Sequence, residues 1–268
     1  MLVALAAVLV PAFILAPGPL AAGMTGGGLD DQRILIDSLS ESFVDYWSSG
    51  DRDLPPGLER AVDYWQYHHV IKAVIAAILL IVLIALGVLL WRAFLRADGL
   101  GSGSRAALAS AGAVVTALAL CSLVTAEANM QDAIAPFSSL LSQLPFHASH
   151  GELADTLDQV RQRLADYPDT GDRTPLALKA MVGDFSRFHA VRVVTATTVA
   201  VVLVGMSVAS WKRSARAGAS ERRARRVFRS FGLLSALLSL AVIVVAVANI
   251  TVTADPAPAL LGLFKGGW

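Results

Sequence analysis

Long runs of apolar residues dominate the hydrophobic pattern of this 268-residue chain. A helix needs about 20 consecutive apolar residues to cross the hydrocarbon core of a bilayer. Four runs meet this length, at residues 70–90, 106–126, 190–211 and 231–252, and a shorter one covers residues 2–16. Because only helices and closed barrels satisfy their backbone groups in lipid, the pattern predicts an all-α, polytopic membrane helix bundle of about five spans.

The first run has a second interpretation as a cleaved signal peptide, which would leave four spans. Residues 19–24 (Pro-Leu-Ala-Ala-Gly-Met) resemble a cleavage site, but no cation precedes Arg33, so the basic start of a signal peptide is missing. We therefore favour an uncleaved first span. It ends at Pro17, and a gene start placed too far downstream would explain why this run is short.

Two polar segments between the runs, which we call the outer segments, carry apolar residues at three- and four-residue spacing. This spacing predicts one amphipathic helix in each outer segment. The apolar sets are Ile36, Leu39, Phe43 and Tyr46 in the first outer segment, and Leu153, Leu157, Val160, Leu164 and Tyr167 in the second. Each helix is expected to break at Gly-Asp-Arg, before a short approach helix into the next span. The simplest packing places the two amphipathic helices side by side as a helical cap.

The chain also contains an internal repeat. At a shift of 121 residues, the matches include Asp63-Tyr64 with Asp184-Phe185, His68 with His189, and Gly50-Asp51-Arg52 with Gly171-Asp172-Arg173. At a shift of 120 residues, Trp91 matches Trp211, Asn129 matches Asn249 and Pro136 matches Pro256. A single one-residue gap accounts for both sets. Each copy crosses the membrane twice, so the two copies are predicted to be parallel repeats.

The repeat divides the chain into two complete units and a half unit. Unit 1 covers residues 1–104, with span 1 at about 2–22, the first outer segment at 23–67 and span 2 at about 68–95. Unit 2 covers residues 105–218, with span 3 at about 106–128, the second outer segment at 129–188, span 4 at about 189–211 and a basic loop from 212. The half unit, residues 219–268, holds the rest of that loop, span 5 at about 231–252 and a C-terminal tail.

Charge gives the predicted bundle an orientation. Residues 211–229 carry eight lysines and arginines against one glutamate, whereas residues 23–67 carry nine acidic residues against three arginines. Short basic loops stay in the cytoplasm, so the outer segments and the C-terminus are expected outside and the N-terminus inside. The composition, 55% hydrophobic and 16% charged with a net charge of +1, agrees with a membrane protein and offers no basic surface for nucleic acid.

His68 and His189 occupy matched positions near the outer ends of two spans. Two histidines that face each other in a helix bundle can ligate haem iron or another metal. The alternative, which we favour because two ligands fall short of a metal's needs, is that water or a carboxylate satisfies each ring at the interface.

Charged residues at the ends of the spans have structural and functional interpretations. Lys72 and Arg192 lie a few residues inside their spans and can extend to the outer interface. With Glu127 they could instead form a buried ion pair or part of an ion pathway. Arg222, Arg223, Arg225 and Arg226 could contact anionic lipid headgroups, although such a cluster more often anchors the topology.

No nucleotide-binding, nucleophile-elbow or zinc-protease motif occurs, and the single cysteine, Cys121, lies inside a span. We therefore expect a non-enzymatic envelope protein, without a cofactor, that presents an acidic helical cap for partner binding or sensing. A small channel or transporter and a haem or metal redox protein are the alternatives. Beyond the lipid bilayer, the expected partner is an envelope protein or a second copy of the chain.

The layout resembles that of uncharacterised multi-pass integral membrane proteins of actinobacteria. The resemblance is carried by Asp63-Tyr-Trp-Gln-Tyr-His-His-Val-Ile-Lys leading into a span, and by the order of spans and segments. It implies a location in the cell membrane and transfers no functional residue.

Overall fold

A computed structural model describes residues 1–97, 99, 101–167, 174–218 and 221–266, and within them the chain is helical with no strand. The predicted break at Gly171-Asp172-Arg173 lies outside the described residues. The helices are α1 (Leu2–Leu15), α2 (Pro17–Met24), α3 (Gln32–Ser49), α4 (Pro56–Leu95), α5 (Ser102–Ile134), α6 (Pro136–Leu141), α7 (Glu152–Ala165), α8 (Leu176–Arg216), α9 (Arg222–Ala254) and α10 (Pro256–Phe264).

Four helices, α4, α5, α8 and α9, are long and apolar enough to cross a membrane. Their most apolar windows are only 22%, 11%, 22% and 22% buried, respectively, so most of these apolar side chains face outward. Such faces are stable in lipid and costly in water. Helices α1 and α2 meet at a bend of 52° beside Pro17, and together they would make a fifth, broken span. The described chain therefore has four to five candidate spans.

The long helices extend beyond the predicted spans. Helix α4 is continuous from Pro56 to Leu95, so the approach segment and the span form one helix rather than two. The predicted basic loop is also mostly helical, because α8 continues to Arg216 and α9 begins at Arg222. Arginine, lysine and alanine are strong helix formers, and the loop contains no proline to stop the helices.

The described chain divides into two compact units. The first unit comprises Met1–Val10, Ala76–Thr125 and Arg192–Asn249. Inside it, the Trp91 indole of α4 lies against Gly112 of α5, where an added Cβ would approach the ring to 3.0 Å. Trp211 of α8 lies in the same way against Gly232 of α9, at 2.9 Å. At both positions a larger side chain would require the indole to move, so glycine allows the close approach.

Polar side chains join the same helix pairs within the first unit. The Trp91 Nε1 donates to Thr116 Oγ1 at 3.1 Å, and Ser122 Oγ donates to the Ala76 carbonyl at 2.8 Å. Ser207 Oγ donates to the Gly232 carbonyl at 2.9 Å. Hydrogen bonds between helices in an apolar setting satisfy groups that would otherwise find no partner in lipid.

The second unit comprises Pro11–Ile75, Ala126–Val191 and Ile250–Trp268, and it contains an extended cluster of buried apolar side chains, its hydrophobic core. Helix α7 packs beside α3, as the apolar faces of the two outer segments predicted, and also against α10. Phe264 of α10 contacts the rings of Phe43 and Phe146 and is fully buried. Arg161 of α7 donates to the carbonyls of Phe264 and Phe146 at 2.7 and 2.6 Å. The core thus resembles that of a globular helical domain.

Local signals set the limits of α3. Asp31 caps its start by accepting a hydrogen bond from the Arg33 N–H at 2.8 Å. Gly50 ends it with a φ of 68°, a left-handed conformation that glycine adopts without strain. The Gly50 carbonyl then accepts from the Ala177 N–H, while the Tyr46 hydroxyl donates to the Ala177 carbonyl at 3.1 Å. Two hydrogen bonds to one residue hold the end of α3 against the start of α8.

Candidate functional site

A cavity of about 390 Å³ lies among helices of the second unit. Its walls combine three aromatic side chains with a larger set of polar ones. The aromatic residues are Trp65, Phe185 and Phe188, and the polar residues are His69, Asp132, Ser138, Ser139, Ser142 and Gln143. The volume falls within the range of small-molecule sites, which start at about 300 Å³.

Helical spacing brings these groups together. Trp65 and His69 lie one turn apart on α4, with ring centroids 4.7 Å from each other. Asn129 and Asp132 lie one turn apart on α5 and face His69. The chain turns at Pro136 to start α6, which brings Ser138 and Ser139 back toward the end of α5. Phe185 and Phe188 come from one turn of α8 and supply the remaining apolar wall.

A chain of polar contacts links Trp65, Ser139, Asp132 and His69 at the cavity. Trp65 Nε1 donates to Ser139 Oγ at 2.9 Å, and Ser139 Oγ donates to Asp132 Oδ1 at 2.8 Å. The other carboxylate oxygen, Asp132 Oδ2, lies 3.3 Å from His69 Nδ1. Networks of this kind hold each side chain in one rotamer.

The same network selects one form of the His69 ring. Nδ1 lies 2.9 Å from Asn129 Oδ1 and faces the Asp132 carboxylate, and both oxygens are acceptors. The hydrogen of a neutral ring is therefore on Nδ1, and Nε2 carries a lone pair. His69 is 8% exposed, and its buried Nε2 has no hydrogen-bond partner among the described residues. His69 thus contains an acceptor atom that is buried away from solvent.

This arrangement differs from a serine hydrolase site. In a Ser-His-Asp triad the serine hydroxyl contacts the histidine, which takes its proton. Here the Ser139 hydroxyl donates to Asp132 instead, and His69 Nδ1 faces the other oxygen of that carboxylate. The geometry suits the binding and orientation of a ligand rather than the activation of Ser139 as a nucleophile.

A second cavity, of about 760 Å³, lies beside Tyr46 and Asp184 in the same unit. Asp184 Oδ2 accepts from both the N–H and the hydroxyl of Ser138, so it caps the start of α6 in place of Ala135. Burial, and secondarily the negative charge of Asp184, raises the pKa of Tyr46 to about 12. The cations at this cavity, Arg52, Lys179 and Arg187, are exposed, and two acidic residues share the wall with them.

The two histidines singled out in the sequence have aromatic neighbours. The His68 ring lies 5.9 Å from Tyr64 and stacks near Trp65 at 6.1 Å. The His189 ring contacts Phe185 at 4.7 Å and Phe188 at 5.5 Å. Within the described residues no group of three or more His, Cys, Asp and Glu side chains is arranged to hold a metal. Ligation of haem or a metal by His68 and His189 stays a prediction.

The predicted ion-pathway residues are all partly buried. The Lys72 ammonium lies 5.5 Å from the centre of the Phe13 ring, a cation–π contact. Glu127 lies in α5 and Arg192 in α8, each of intermediate exposure. Their role in a pathway or a buried pair likewise stays a prediction.

The arginine cluster separates into two kinds of residue. Arg223 donates to the Phe94 carbonyl at 3.3 Å, and Arg225 donates to the Ala217 and Gly218 carbonyls at 2.8 and 3.1 Å. These carbonyls lie at the C-terminal ends of α4 and α8, where cations are stabilising. Arg222 and Arg226 are exposed, which leaves them as the stronger candidates for lipid contact.

Sequence reasoning did not select His69, Asp132, Ser139 or Trp65. The usable signal was the spacing of Trp65 and His69 on one helix and of Asn129 and Asp132 on the next, each pair one turn apart. That spacing places both pairs on single helical faces, but it does not specify that the faces meet.

Comparison with protein-family models, with curated proteins and with solved structures finds no match to this chain, so its function rests on its own residues.

Proposed function

We propose that this chain is a non-enzymatic, multi-pass cell-membrane protein of the bacterial envelope. In this proposal the outer segments form an acidic helical cap outside the cell, for partner binding or sensing. The basic ends of α4, α5, α8 and α9 lie in the cytoplasm. The cavity beside His69, lined by residues of α4, α5, α6 and α8, recognises a small ligand.

One observation carries the proposal: the second unit holds an extended cluster of buried apolar side chains. The windows of the spans, by contrast, are at most 22% buried. A chain needed only as a membrane anchor gains nothing from a globular helical core with an oriented polar cavity. Binding sites are typically such cavities, held by rigid elements.

Parallel repeats are part of the proposal, and several contacts support them. Trp91 lies on Gly112 and Trp211 lies on Gly232, pairs that are 120 residues apart. Gln66 Nε2 donates to the Ala133 carbonyl, and Ser186 Oγ donates to the Thr253 carbonyl. The two donors, and likewise the two acceptors, are 120 residues apart. Recurring contacts at one spacing are typical of duplicated helical hairpins.

Aromatic contacts also change which histidines occupy matching positions in the two repeats. Trp65 contacts His69 and Phe185 contacts His189, each at 4.7 Å and each one helical turn apart. At the 120-residue spacing, His189 corresponds to His69, whereas the sequence alignment matched it with His68. The contacts therefore favour His69, rather than His68, as the residue of the first repeat that corresponds to His189.

Cysteine labelling in intact cells tests the orientation. In a Cys121→Ser background, Ser142→Cys at the cavity should react with a membrane-impermeant maleimide added outside. Ser104→Cys, which is exposed at the start of α5, should react only after the membrane is opened. The opposite pattern would refute the proposal, because the cavity would then face the cytoplasm.

A further inference from the structure

The larger cavity of the second unit, beside Tyr46, has cations on two of its walls. Arg52 lies in the loop that follows α3, whereas Lys179 and Arg187 lie on α8. Gly183 lies between these two, one helical turn from each, and a Cβ added there would meet no described atom within 4 Å. The wall of α8 therefore leaves room for a ligand between its two cations.

The three cations are not used by the fold in the way that other cations of the second unit are. Within the part of the chain that the structure describes, no ion pair involves Arg52, Lys179 or Arg187. Arg161 of the same unit, by contrast, donates to Asp158 and to two backbone carbonyls. Like charges beside one cavity repel one another unless an anion lies between them. The arrangement favours a ligand that brings negative charge.

Two carboxylates on the walls reduce this positive charge without cancelling it. Asp184 already has partners, because its Oδ2 accepts from both the N–H and the hydroxyl of Ser138. Asp53 is exposed, so water and salt screen its charge. Three cations against two carboxylates leave the lining with a net positive charge.

The remaining wall suits the carbon part of a ligand. Its apolar residues are Leu54, Val62, Ile134, Pro136, Phe137 and Leu176. Guanidinium groups bind phosphate through two parallel N–H donors, and a lysine adds a flexible point charge. We infer that this cavity binds an organic phosphate, with the phosphate group among Arg52, Lys179 and Arg187 and the carbon part on the apolar wall.

The phosphate site goes beyond the proposed function, because this cavity shares no lining residue with the cavity beside His69. Binding to the purified full chain does not depend on which side of the membrane the cavity faces. A failure of binding therefore overturns the phosphate site alone, whereas reversed cysteine labelling overturns the proposed orientation.

Isothermal titration calorimetry in maltoside micelles compares four probes that share a short carbon chain. n-Butyl phosphate should bind, and n-butanol and n-butylammonium should bind at least about tenfold more weakly, because the charged contacts supply the affinity. Butyrate, with a single negative charge, should bind about threefold or more weakly than the phosphate. Equal binding of any of these three would overturn the site. Absence of n-butyl phosphate binding to folded protein at about 10 mM would overturn it too.

Charge variants connect the binding to this cavity. Lys179→Gln and Arg187→Gln should each weaken n-butyl phosphate binding about threefold to fivefold, the range of exposed charge pairs. Asp53→Asn should strengthen it about twofold to threefold, because a repelling charge is removed. Arg163→Gln, at an exposed position on α7 outside the cavity, removes the same charge and should bind like wild type. Equal weakening in this control would show an effect of net charge alone and would overturn the site.

A second pair of variants tests the position of the ligand without changing charge. Gly183→Leu should fill the space between the two cations of α8 and weaken n-butyl phosphate binding about tenfold or more. Gly262→Leu, at a helical position of α10 with similar open space and outside the cavity, is the matched control. Unchanged binding in a folded Gly183→Leu variant would overturn the site.

Nanodiscs distinguish a lipid headgroup from a soluble phosphate ester as the source of the phosphate. Phosphatidic acid presents a phosphate monoester on a lipid, whereas oleate brings negative charge without phosphate. A headgroup that fills the cavity should weaken n-butyl phosphate binding about tenfold in discs with phosphatidic acid, relative to discs with oleate. Equal binding in the two discs assigns the site to a soluble ester. Either result supports the site, whereas loss of binding in both discs overturns it.

Discussion

Adjacent residues can have different surroundings in a helix, and His68 and His69 are an example. His69 forms hydrogen bonds through Nδ1 to Asn129 and faces Asp132, and it is 8% exposed. His68 lies among aromatic rings, and its Nδ1 has no hydrogen-bond partner in the described part of the chain. The two side chains leave α4 in directions about 100° apart, so they meet different neighbours. Only His69 belongs to a polar network.

At the residue scale, Tyr46 should make stability depend on alkaline pH. Its pKa is about 12 in the folded chain against about 10 in an unfolded one. The folded state therefore keeps the proton that the unfolded state loses, so this stability is complete below pH 10 and is lost as pH rises toward 12. The temperature of thermal unfolding should therefore fall more steeply between pH 10 and pH 12 in the wild-type protein than in the Tyr46→Phe variant. Identical slopes would contradict the assignment.

At the element scale, contacts at glycine determine how closely the spanning helices approach. Gly112 and Gly232 each face an indole ring, whereas Gly205 of α8 has open space around the position of a Cβ. Alanine is favoured over glycine in a helix interior by about 1 kcal/mol. Whether this gain is realised depends on the space available to the added methyl group.

We therefore expect Gly→Ala substitutions in the spans to change the stability of the protein in opposite directions. Gly205→Ala should stabilise the protein by up to about 1 kcal/mol. Gly232→Ala should destabilise it by about 1–3 kcal/mol, because the methyl group would lie 2.9 Å from Trp211 Nε1. Unfolding in mixed micelles measures both. Equal stabilisation by the two substitutions would show that the Trp211 contact is not close.

At the same scale, two arginines should differ in their effect on stability. Arg225 donates to the Ala217 and Gly218 carbonyls, just past the end of α8, whereas Arg226 is exposed. Arg225→Gln should lower the free energy of unfolding by about 1 kcal/mol. Arg226→Gln should leave it unchanged and should instead reduce binding to vesicles of anionic lipid. A similar loss of stability in both variants would contradict the division of the cluster.

At the scale of the whole molecule, apolar side chains have two environments. In the second unit they form a core, where Leu157 is fully buried. On the spans they face outward, as at Leu240, which is 60% exposed. The same residue type therefore forms a hydrophobic core in one unit and an outward-facing apolar surface in the other.

Matched leucine substitutions should separate these environments. Leu157→Ala should lower the free energy of unfolding by about 2–5 kcal/mol, because it leaves a cavity in the core. Leu240→Ala, on an outward face, should change it by less than about 1 kcal/mol, because lipid or detergent fills the space. Unfolding in lipid bicelles provides the comparison. A large effect at Leu240 would indicate a protein contact on that face, such as a second copy of the chain.

The sequence by itself determined the features that depend on local pattern. Apolar runs identified the spanning helices, and the spacing of Leu39, Phe43 and Tyr46 identified an amphipathic helix, since both depend only on neighbours along the chain. The hydrophobic pattern was less informative about where each helix ends, because helix-forming residues such as Arg213 and Arg216 extend α8 past its apolar run.

Only the tertiary structure decided which of these residues act together. The cavity joins Trp65 and His69 with Asp132 and with Phe185, residues separated by up to 120 positions in the chain. Local pattern assigns each of them to a helical face, but the way in which the faces pack depends on side-chain contacts between distant segments. For the same reason, the alignment matched His189 with His68, whereas the contacts of the folded chain favour His69.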